Sequence, residues 1–189
     1  MKRLPSILLL ICIVHACAGP KNFSYYYNGE NTGLDQMIDI DGYYVSEHGC
    51  DSLFCSMYMF YPDGLFIIAT TSKIHPELID CYRGEGLDKN CKYPLWGTYT
   101  IEGDLIKTQT IRTEGNGCVY FRDYQMLPDK SIVNVSDYVE AEYTNLAYMT
   151  NYPSFMENLC EKRAQFYPLD KKRDSKECPF LKKKWFRGK

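Results

Sequence analysis

The stretch that decides the fold is FCSMYMFYPDGLFIIATT, residues 54–71. Two apolar runs, residues 54–61 and 65–71, flank Pro62-Asp63-Gly64. Proline presets φ for the first central position of a turn, and glycine can adopt a positive φ. The β-branched and aromatic side chains of both runs are typical of strands. The stretch therefore predicts a β-hairpin.

Two more hairpins follow the same pattern of apolar runs around a short turn. Glu102-Gly103-Asp104 separates residues 95–101 from 105–113. Pro128-Asp129-Lys130 separates residues 117–127 from 131–136. A three-residue turn that contains Gly or Pro between two such runs is a hairpin signal. Six strands are thus predicted in three pairs.

The remaining strands are a single one at residues 39–46 and an eighth within residues 138–149. Antiparallel strands joined by short turns form a meander, and about eight of them can close into a barrel without exposed edges. The predicted fold class is therefore all-β, an antiparallel up-and-down barrel of about eight strands over residues 36–150. Residues 151–189 are predicted to hold one C-terminal helix, at 154–166, and a basic tail that contains a cysteine.

The composition agrees with one compact domain. The chain has 189 residues, of which 45% are apolar and 15% aromatic, and its formal net charge is −2. Such a chain can bury a core, which excludes global disorder. The frequency of Gly, Pro and Tyr excludes a coiled coil.

The first residues are typical of an export signal. Lys2 and Arg3 precede an apolar run at residues 4–14, and small residues follow, which predicts a signal peptide over residues 1–17. Val14-His15-Ala16-Cys17 resembles a bacterial lipobox, in which Cys17 is the lipidated residue. Ordinary cleavage after Ala18 and an uncleaved anchor are the alternatives. The expected location is the bacterial cell envelope, as an outer-membrane lipoprotein facing the periplasm, with secretion as the alternative.

Residues 18–35 are predicted to be a polar tether between membrane and domain, because they contain several Gly and Asn. Tyr25-Tyr26-Tyr27 lies in this segment, where exposed rings would contact a membrane, a partner or a sugar. Two sequons, at Asn22 and Asn134, would be glycosylation sites in a eukaryotic secretory pathway, and they leave open a secreted eukaryotic barrel protein.

Four motifs together resemble the lipocalin-like lipoproteins of Bacteroidetes bacteria: the lipobox, Gly42-Tyr43-Tyr44, FYPDGLF at residues 60–66 and WGTYTIEGDLIKTQ at residues 96–109. The resemblance covers roughly residues 37–136. It implies a calycin-type barrel, exposed to the periplasm or the outside, whose ligand is usually unknown. Lipocalins proper carry a tryptophan two residues after the first-strand glycine, whereas this chain has Tyr44.

The aromatic side chains of the predicted strands are candidates to line a pocket, with packing of the barrel wall as the alternative. The candidate ligand-binding residues are Tyr44, Tyr58, Phe66, Trp96, Tyr99 and Tyr120. We expect a small apolar or amphipathic ligand in the barrel. The alternative is a solid barrel that acts as an envelope interaction protein or inhibitor through residues 72–94 and the basic tail. Residues 72–94 are predicted to be a disulfide-stapled loop, which could form a lid.

Catalytic signatures are missing from the sequence. Only His48 and His75 remain after export, and no nucleophile elbow, P-loop or zinc-protease motif occurs. We expect a non-catalytic protein without a cofactor. Paired carboxylates at Asp39/Asp41 and Glu140/Glu142 are interpreted as solvated strand faces, with a raised pKa or a Ca²⁺ site as the alternatives.

Seven cysteines remain after export, and an oxidising compartment favours disulfides. The expected pairs are local: Cys50–Cys55, Cys81–Cys91 and Cys160–Cys178. Cys118 is left over, because the number is odd. His48, Cys50 and Cys55 also have the ligand types of a zinc site, but no second close pair completes four ligands.

The charge is distributed unevenly along the chain. Residues 171–189 hold nine Lys/Arg against two Asp/Glu, a net +7, whereas residues 17–170 hold 11 against 22, a net −11. The basic tail has three interpretations. It folds back on the acidic barrel, stays solvated, or meets anionic lipid or an envelope protein with Trp185 and Phe186 as anchors. Nucleic acid is not an expected partner.

Overall fold

The structure, a computed structural model, describes residues 20, 23–48, 54–71, 76–85, 95–111, 119–139 and 163–188. Its eight strands are β1 (Gly42–His48), β2 (Phe54–Phe60), β3 (Leu65–Thr71), β4 (Leu95–Glu102), β5 (Leu105–Ile111), β6 (Val119–Met126), β7 (Ile132–Val139) and β8 (Arg163–Pro168). Each strand pairs antiparallel with the next, and β8 pairs with β1 to close the ring. The predicted all-β, up-and-down barrel of about eight strands is confirmed.

The three predicted hairpin turns lie together at one end of the barrel, called the lower end here. In the first turn, the Tyr61 N–H donates to the Leu65 carbonyl at 3.0 Å. Gly64 has φ +87°, the left-handed conformation that the sequence assigned to it. The opposite end of the barrel, where β1 ends and β2 begins, is called the upper end.

The prediction of a C-terminal helix at residues 154–166 is wrong for residues 163–166, the part that the structure describes. Residues 163–168 form strand β8, and residues 154–162 lie outside the described residues. Ala164 is buried and Phe166 half-buried in the barrel interior, while Gln165 and Tyr167 are exposed. This period of two fits a strand, and pairing with β1 removes the last two edges of the sheet. The eighth strand predicted within 138–149 is not β8, since β7 ends at Val139 and residues 140–149 lie outside the described residues.

Among the described residues, the α-helix lies instead at Pro76–Arg83, called α1. Gly84 ends it with φ +79°, and the Glu85 N–H donates to the Asp80 carbonyl at 2.8 Å, as in a glycine C-cap. The expected loop at 72–94 is therefore wrong for residues 76–83. The helix packs on the outer wall of the barrel rather than over its mouth, and the Tyr82 hydroxyl donates to the Met57 carbonyl at 2.9 Å.

The apolar side chains form two clusters, one inside the barrel and one on its outer face. The interior cluster takes side chains from all eight strands: Tyr44, Tyr58, Phe60, Phe66, Ile68, Tyr99, Ile106, Tyr124, Met126, Ile132 and Ala164. The outer cluster covers strands β1 to β6 and includes Tyr43, Val45, Met57, Met59, Leu65, Ile67, Trp96, Ile111, Val119 and Phe121. Strands buried on both faces read as continuous apolar runs, which explains the sequence of residues 54–71.

The first cover of the outer face is the N-terminal strap, residues 23–33. The polar tether predicted at 18–35 is wrong for this part. Phe23 is buried, Tyr25 and Tyr27 are half-buried, and the Tyr25 carbonyl accepts a hydrogen bond from Gln109 Nε2 at 2.7 Å. Aromatic side chains at every second residue give the strap one apolar face, which the sheet buries.

The second cover is the C-terminal strap, residues 169–188. Of the three interpretations of the tail, folding back on the barrel is confirmed, but the attachment is apolar. Leu169 and Phe180 are buried, and Phe186 is fully buried against Phe23 at a ring distance of 5.4 Å. Phe186 is therefore not a lipid anchor. Two short 3₁₀ turns, Ser175–Glu177 and Lys184–Arg187, shape the strap.

The cysteines correct two expected disulfides. Cys55 and Cys178 are buried thiols, so the pairings Cys50–Cys55 and Cys160–Cys178 are not formed. Both thiols belong to the apolar outer cluster, which packs them like small hydrophobic side chains. Cys81 is disulfide-bonded, and its expected partner Cys91 lies outside the described residues, so that pairing stays a prediction.

Candidate functional site

The lower half of the barrel interior is filled by rings, which we call the aromatic floor. Its members are Tyr44, Tyr58, Phe60, Phe66, Tyr99 and Tyr124. Phe60 and Phe66 are 5.0 Å apart between centroids, and Tyr58 meets Tyr124 edge to face at 4.9 Å. These are the geometries that aromatic pairs prefer. The floor leaves the lower interior tightly packed.

The hydroxyl groups of two floor tyrosines donate hydrogen bonds to backbone carbonyls at the lower end of the barrel. The Tyr44 hydroxyl donates to the Lys130 carbonyl at 3.3 Å, and the Tyr99 hydroxyl donates to the Tyr61 carbonyl at 2.6 Å. Burial raises the pKa of both phenols above the ordinary value. Both side chains therefore act as neutral packing groups with a fixed polar end.

Above the floor, the interior changes from rings to small polar side chains, which we call the hydroxyl tier. It consists of Ser46, Ser56, Thr108 and Thr110, all of them buried. Ser46 lies opposite Ser56 across β1 and β2, and the Ser46 and Tyr58 hydroxyl oxygens are 2.5 Å apart. Serine and threonine cannot fill the width that tyrosine and phenylalanine fill below. Short hydroxyl side chains therefore line part of the upper interior, beside the apolar Ile68.

Strand β6 adds two longer side chains to this level. Arg122 lies opposite Thr108 and Tyr120 opposite Thr110, and directly opposed residues share one face of a sheet. Both therefore face the interior, as Tyr124 does. Arg122 brings a permanent positive charge to the hydroxyl tier.

The lower end of the barrel is closed. Leu34 and Ile38, in and just after the 3₁₀ turn Leu34–Gln36, are fully buried against the floor. Beside them, the ammonium of Lys172 donates to the carbonyls of Ile40 at 2.8 Å and Phe60 at 2.7 Å. Burial lowers the pKa of Lys172 to about 8. A molecule that reaches the hydroxyl tier must therefore enter from the upper end.

No protein-family model, curated protein or solved structure matches this chain. What the barrel does must accordingly be argued from its own residues.

The structure brings together five of the six predicted ligand-binding residues. Tyr44, Tyr58, Phe66 and Tyr99 belong to the aromatic floor, and Tyr120 faces the interior above it. Trp96 is on the outer face, where its ring stacks on Tyr61 at 5.8 Å. The reason is the period of a strand: Trp96 and Tyr99 are three residues apart on β4 and must face opposite sides.

The sequence reasoning missed the hydroxyl tier and Arg122, because it selected aromatic residues only. The signal was present in the predicted strands. Thr108 and Thr110 follow Ile106 at intervals of two, and Ser46 follows Tyr44 in the same way. Extending each inward face by two residues would have found the tier.

The remaining candidate sites from the sequence are a metal site, the paired carboxylates and the lipidation site. No group of three His, Cys, Asp or Glu side chains that could hold a metal occurs among the described residues. Asp39 forms an exposed ion pair with Lys130 at 3.0 Å, as a solvated carboxylate does. His48 is the last residue of β1, and the structure describes its backbone only. Four other candidates lie outside the described residues: Cys17, His75, Glu140 and Glu142. The described helices include none long and apolar enough to cross a membrane.

Proposed function

We propose that this chain is an exported, lipid-anchored barrel that binds a small amphipathic ligand at the hydroxyl tier. The observation that carries the proposal is the change from the aromatic floor to buried Ser46, Ser56, Thr108 and Thr110 within one barrel. A barrel without a ligand site is stabilised most by continuous apolar packing of its interior. Buried hydroxyl groups instead supply the few oriented polar contacts of a ligand site.

The chemistry of the site defines the class of ligand. The Thr108 hydroxyl donates to the Arg122 carbonyl at 2.9 Å, so its oxygen is left to accept a hydrogen bond from the polar part of the molecule. A negative group would be favoured by Arg122. Its apolar part would lie on the rings of Tyr58 and Tyr124, at the top of the floor. A small amphipathic molecule with a hydroxyl, carboxylate or sulfonate group meets these requirements.

We propose binding rather than catalysis. The described polar side chains of the tier and its neighbours are hydroxyls, phenols, the Arg122 guanidinium and the amide of Asn134, which lies opposite Tyr124. These groups donate and accept hydrogen bonds, but a covalent mechanism needs a nucleophile with an adjacent base. The lipid on Cys17 and the bacterial envelope location rest on the signal sequence alone.

The alternative, a solid barrel that acts through its surface, is favoured by one observation. The aromatic floor occupies the lower interior, which leaves only the upper interior for a ligand. If the barrel binds no ligand, residues 72–94 and the C-terminal strap would instead contact an envelope protein.

The two functions are separated by titration with 1-anilinonaphthalene-8-sulfonate, an amphipathic anion whose fluorescence rises in apolar sites. We expect saturable binding with one site per chain. The variant Thr110→Phe fills the tier and should abolish this binding, while Val135→Phe, at an exposed residue of β7, should retain it. Equal binding by both variants would refute an interior site. Both variants are first compared with the natural chain by thermal unfolding.

A further inference from the structure

The last part of the C-terminal strap, residues 180–187, holds its cations away from the barrel. Phe186 lies in the 3₁₀ turn Lys184–Arg187 and is fully buried, and Phe180 before the turn is also buried. Four cationic side chains of this part are exposed: Lys182, Lys183, Lys184 and Arg187. We call these four residues the basic face. A buried ring on each side of the lysines fixes the face in position.

The basic face is not neutralised by the barrel. Elsewhere in the strap, Lys171 pairs with Glu85 at 3.0 Å and Arg173 with Glu177 at 2.8 Å. Within the described part of the chain, none of the four residues of the basic face forms an ion pair. Four positive charges within six residues repel one another, and an external anionic surface would relieve this repulsion.

Amphipathic rings border the basic face. Tyr26 is 54% exposed, and its ring lies so close over Gly188 that a Cβ there would approach it to 2.9 Å. Trp185 is half-buried and meets the ring of Phe23 at 5.3 Å. Tyrosine and tryptophan beside lysines are the residues that proteins place at the level of lipid headgroups.

The N-terminal side of the chain arrives at the same place. Phe23 stacks on Phe186, and the Tyr27 N–H donates to the Phe186 carbonyl at 2.9 Å. Cys17 precedes Phe23 by six residues, which span at most about 20 Å of extended chain. A lipid on Cys17 would therefore hold the basic face next to the membrane.

We propose that the basic face, with Tyr26 and Trp185, docks on anionic lipid headgroups. This goes beyond ligand binding in the barrel and does not require a lipid on Cys17. The spread of the cations along an exposed turn fits a lipid surface, which offers many phosphates, rather than one small anion. Where Cys17 is lipidated, the acyl chains and the basic face would act as two membrane signals.

The test uses Trp185 as a reporter in the full chain with Cys17→Ala and Trp96→Phe. The chain has two tryptophans, so Trp185 is then the only one. Vesicles of brominated phosphatidylcholine, with and without phosphatidylglycerol, quench a tryptophan that reaches the headgroup level. Neutral vesicles set the baseline that the apolar segment 4–14 contributes. We expect stronger quenching on the phosphatidylglycerol vesicles, and we expect high salt to remove the difference.

Two charge-reversal variants complete the test. K183E/K184E changes the basic face and should weaken partitioning to anionic vesicles by about tenfold or more. K130E/K171E makes the same change of charge outside the face and should leave most of the partitioning intact. Equal quenching on both vesicle types, or equal loss in both variants, would overturn the proposal. The sulfonate titration on the same variants should be unchanged, so failure here is distinct from failure of the barrel site.

Discussion

The ammonium of Lys172 lies 4.7 Å from the centroid of the Tyr61 ring, at the closed lower end of the barrel. The same nitrogen donates to the carbonyls of Ile40 and Phe60, so the C-terminal strap is fastened to β2 and to the segment before β1. Burial disfavours the positive charge of the Lys172 ammonium, and the carboxylates of Asp41 and Asp63 offset this effect only in part. This contact makes the stability of the fold depend on pH.

The direction of that dependence follows from the pKa of Lys172, which burial lowers from 10.5 to about 8. Between these values the unfolded chain binds more protons than the folded one, so the contribution of Lys172 to stability rises with pH and is lost as pH falls through about 8. Between about pH 7 and 9.5, the free energy of unfolding of the natural chain should rise by at most about 2 kcal/mol more than that of Lys172→Met. Urea unfolding of both chains measures it, and parallel pH profiles would contradict the assignment.

Removal of the Phe186 ring should release the C-terminal strap. Phe186 is fully buried between Phe23 and Tyr27, so Phe186→Ala leaves a cavity and should cost about 3–5 kcal/mol of unfolding free energy. Tyr26→Ala is the matched control, because the Tyr26 side chain is mostly exposed, and it should cost less than about 1 kcal/mol. Similar losses in urea unfolding would show that the strap is not held by Phe186.

Gly42 should be required for closure of the barrel. A Cβ at this residue would lie 2.8 Å from the Phe166 ring and against the Tyr167 carbonyl, where β1 meets β8. Gly42→Ala should therefore destabilise the fold by about 1–3 kcal/mol or more. Gly103→Asn is the control, since nothing lies within 4 Å and asparagine tolerates the positive φ. Thermal unfolding that ranks the two variants in the opposite order would contradict the β1–β8 contact.

The thiol of Cys178 should react only after unfolding. Burial raises its pKa to about 11, which removes the reactive thiolate at neutral pH. Alkylation without reductant, followed by peptide mapping, should label Cys55 and Cys178 in denaturant but not in the native chain. Cys81 should stay unlabelled in both states, because it is disulfide-bonded. Isolation of a Cys160–Cys178 disulfide peptide would contradict the structure.

The hairpins could be predicted because their signals are local. Pro62 and Gly64 determine the turn locally. The apolar runs beside it are visible in the sequence, although distant segments complete their burial. Strand β8 could not be predicted in this way. Its six residues contain one large apolar side chain that faces the interior, Phe166, and its conformation follows from pairing with β1.

The candidate site was predicted in part for a similar reason. Aromatic residues indicated a packed interior, and Tyr44 and Tyr58 lie there as expected. Trp96 and Tyr99 are three residues apart on β4, so they face opposite sides of the sheet, and this spacing alone indicates that Trp96 points outward. The N-terminal strap was hidden by its polar Gly and Asn residues, although the alternation of Phe23, Tyr25 and Tyr27 marked an apolar face.

The most direct test of the central claim is native mass spectrometry of the protein purified without denaturation from the organism that makes it. A ligand in the barrel predicts a second species, heavier by the mass of one small amphipathic molecule, that disappears on acid denaturation. Thr110→Phe expressed in the same host should show the polypeptide mass alone, and Val135→Phe should keep the heavier species. A natural chain that shows only its polypeptide mass, and that binds no sulfonate probe, would contradict a ligand site at the hydroxyl tier.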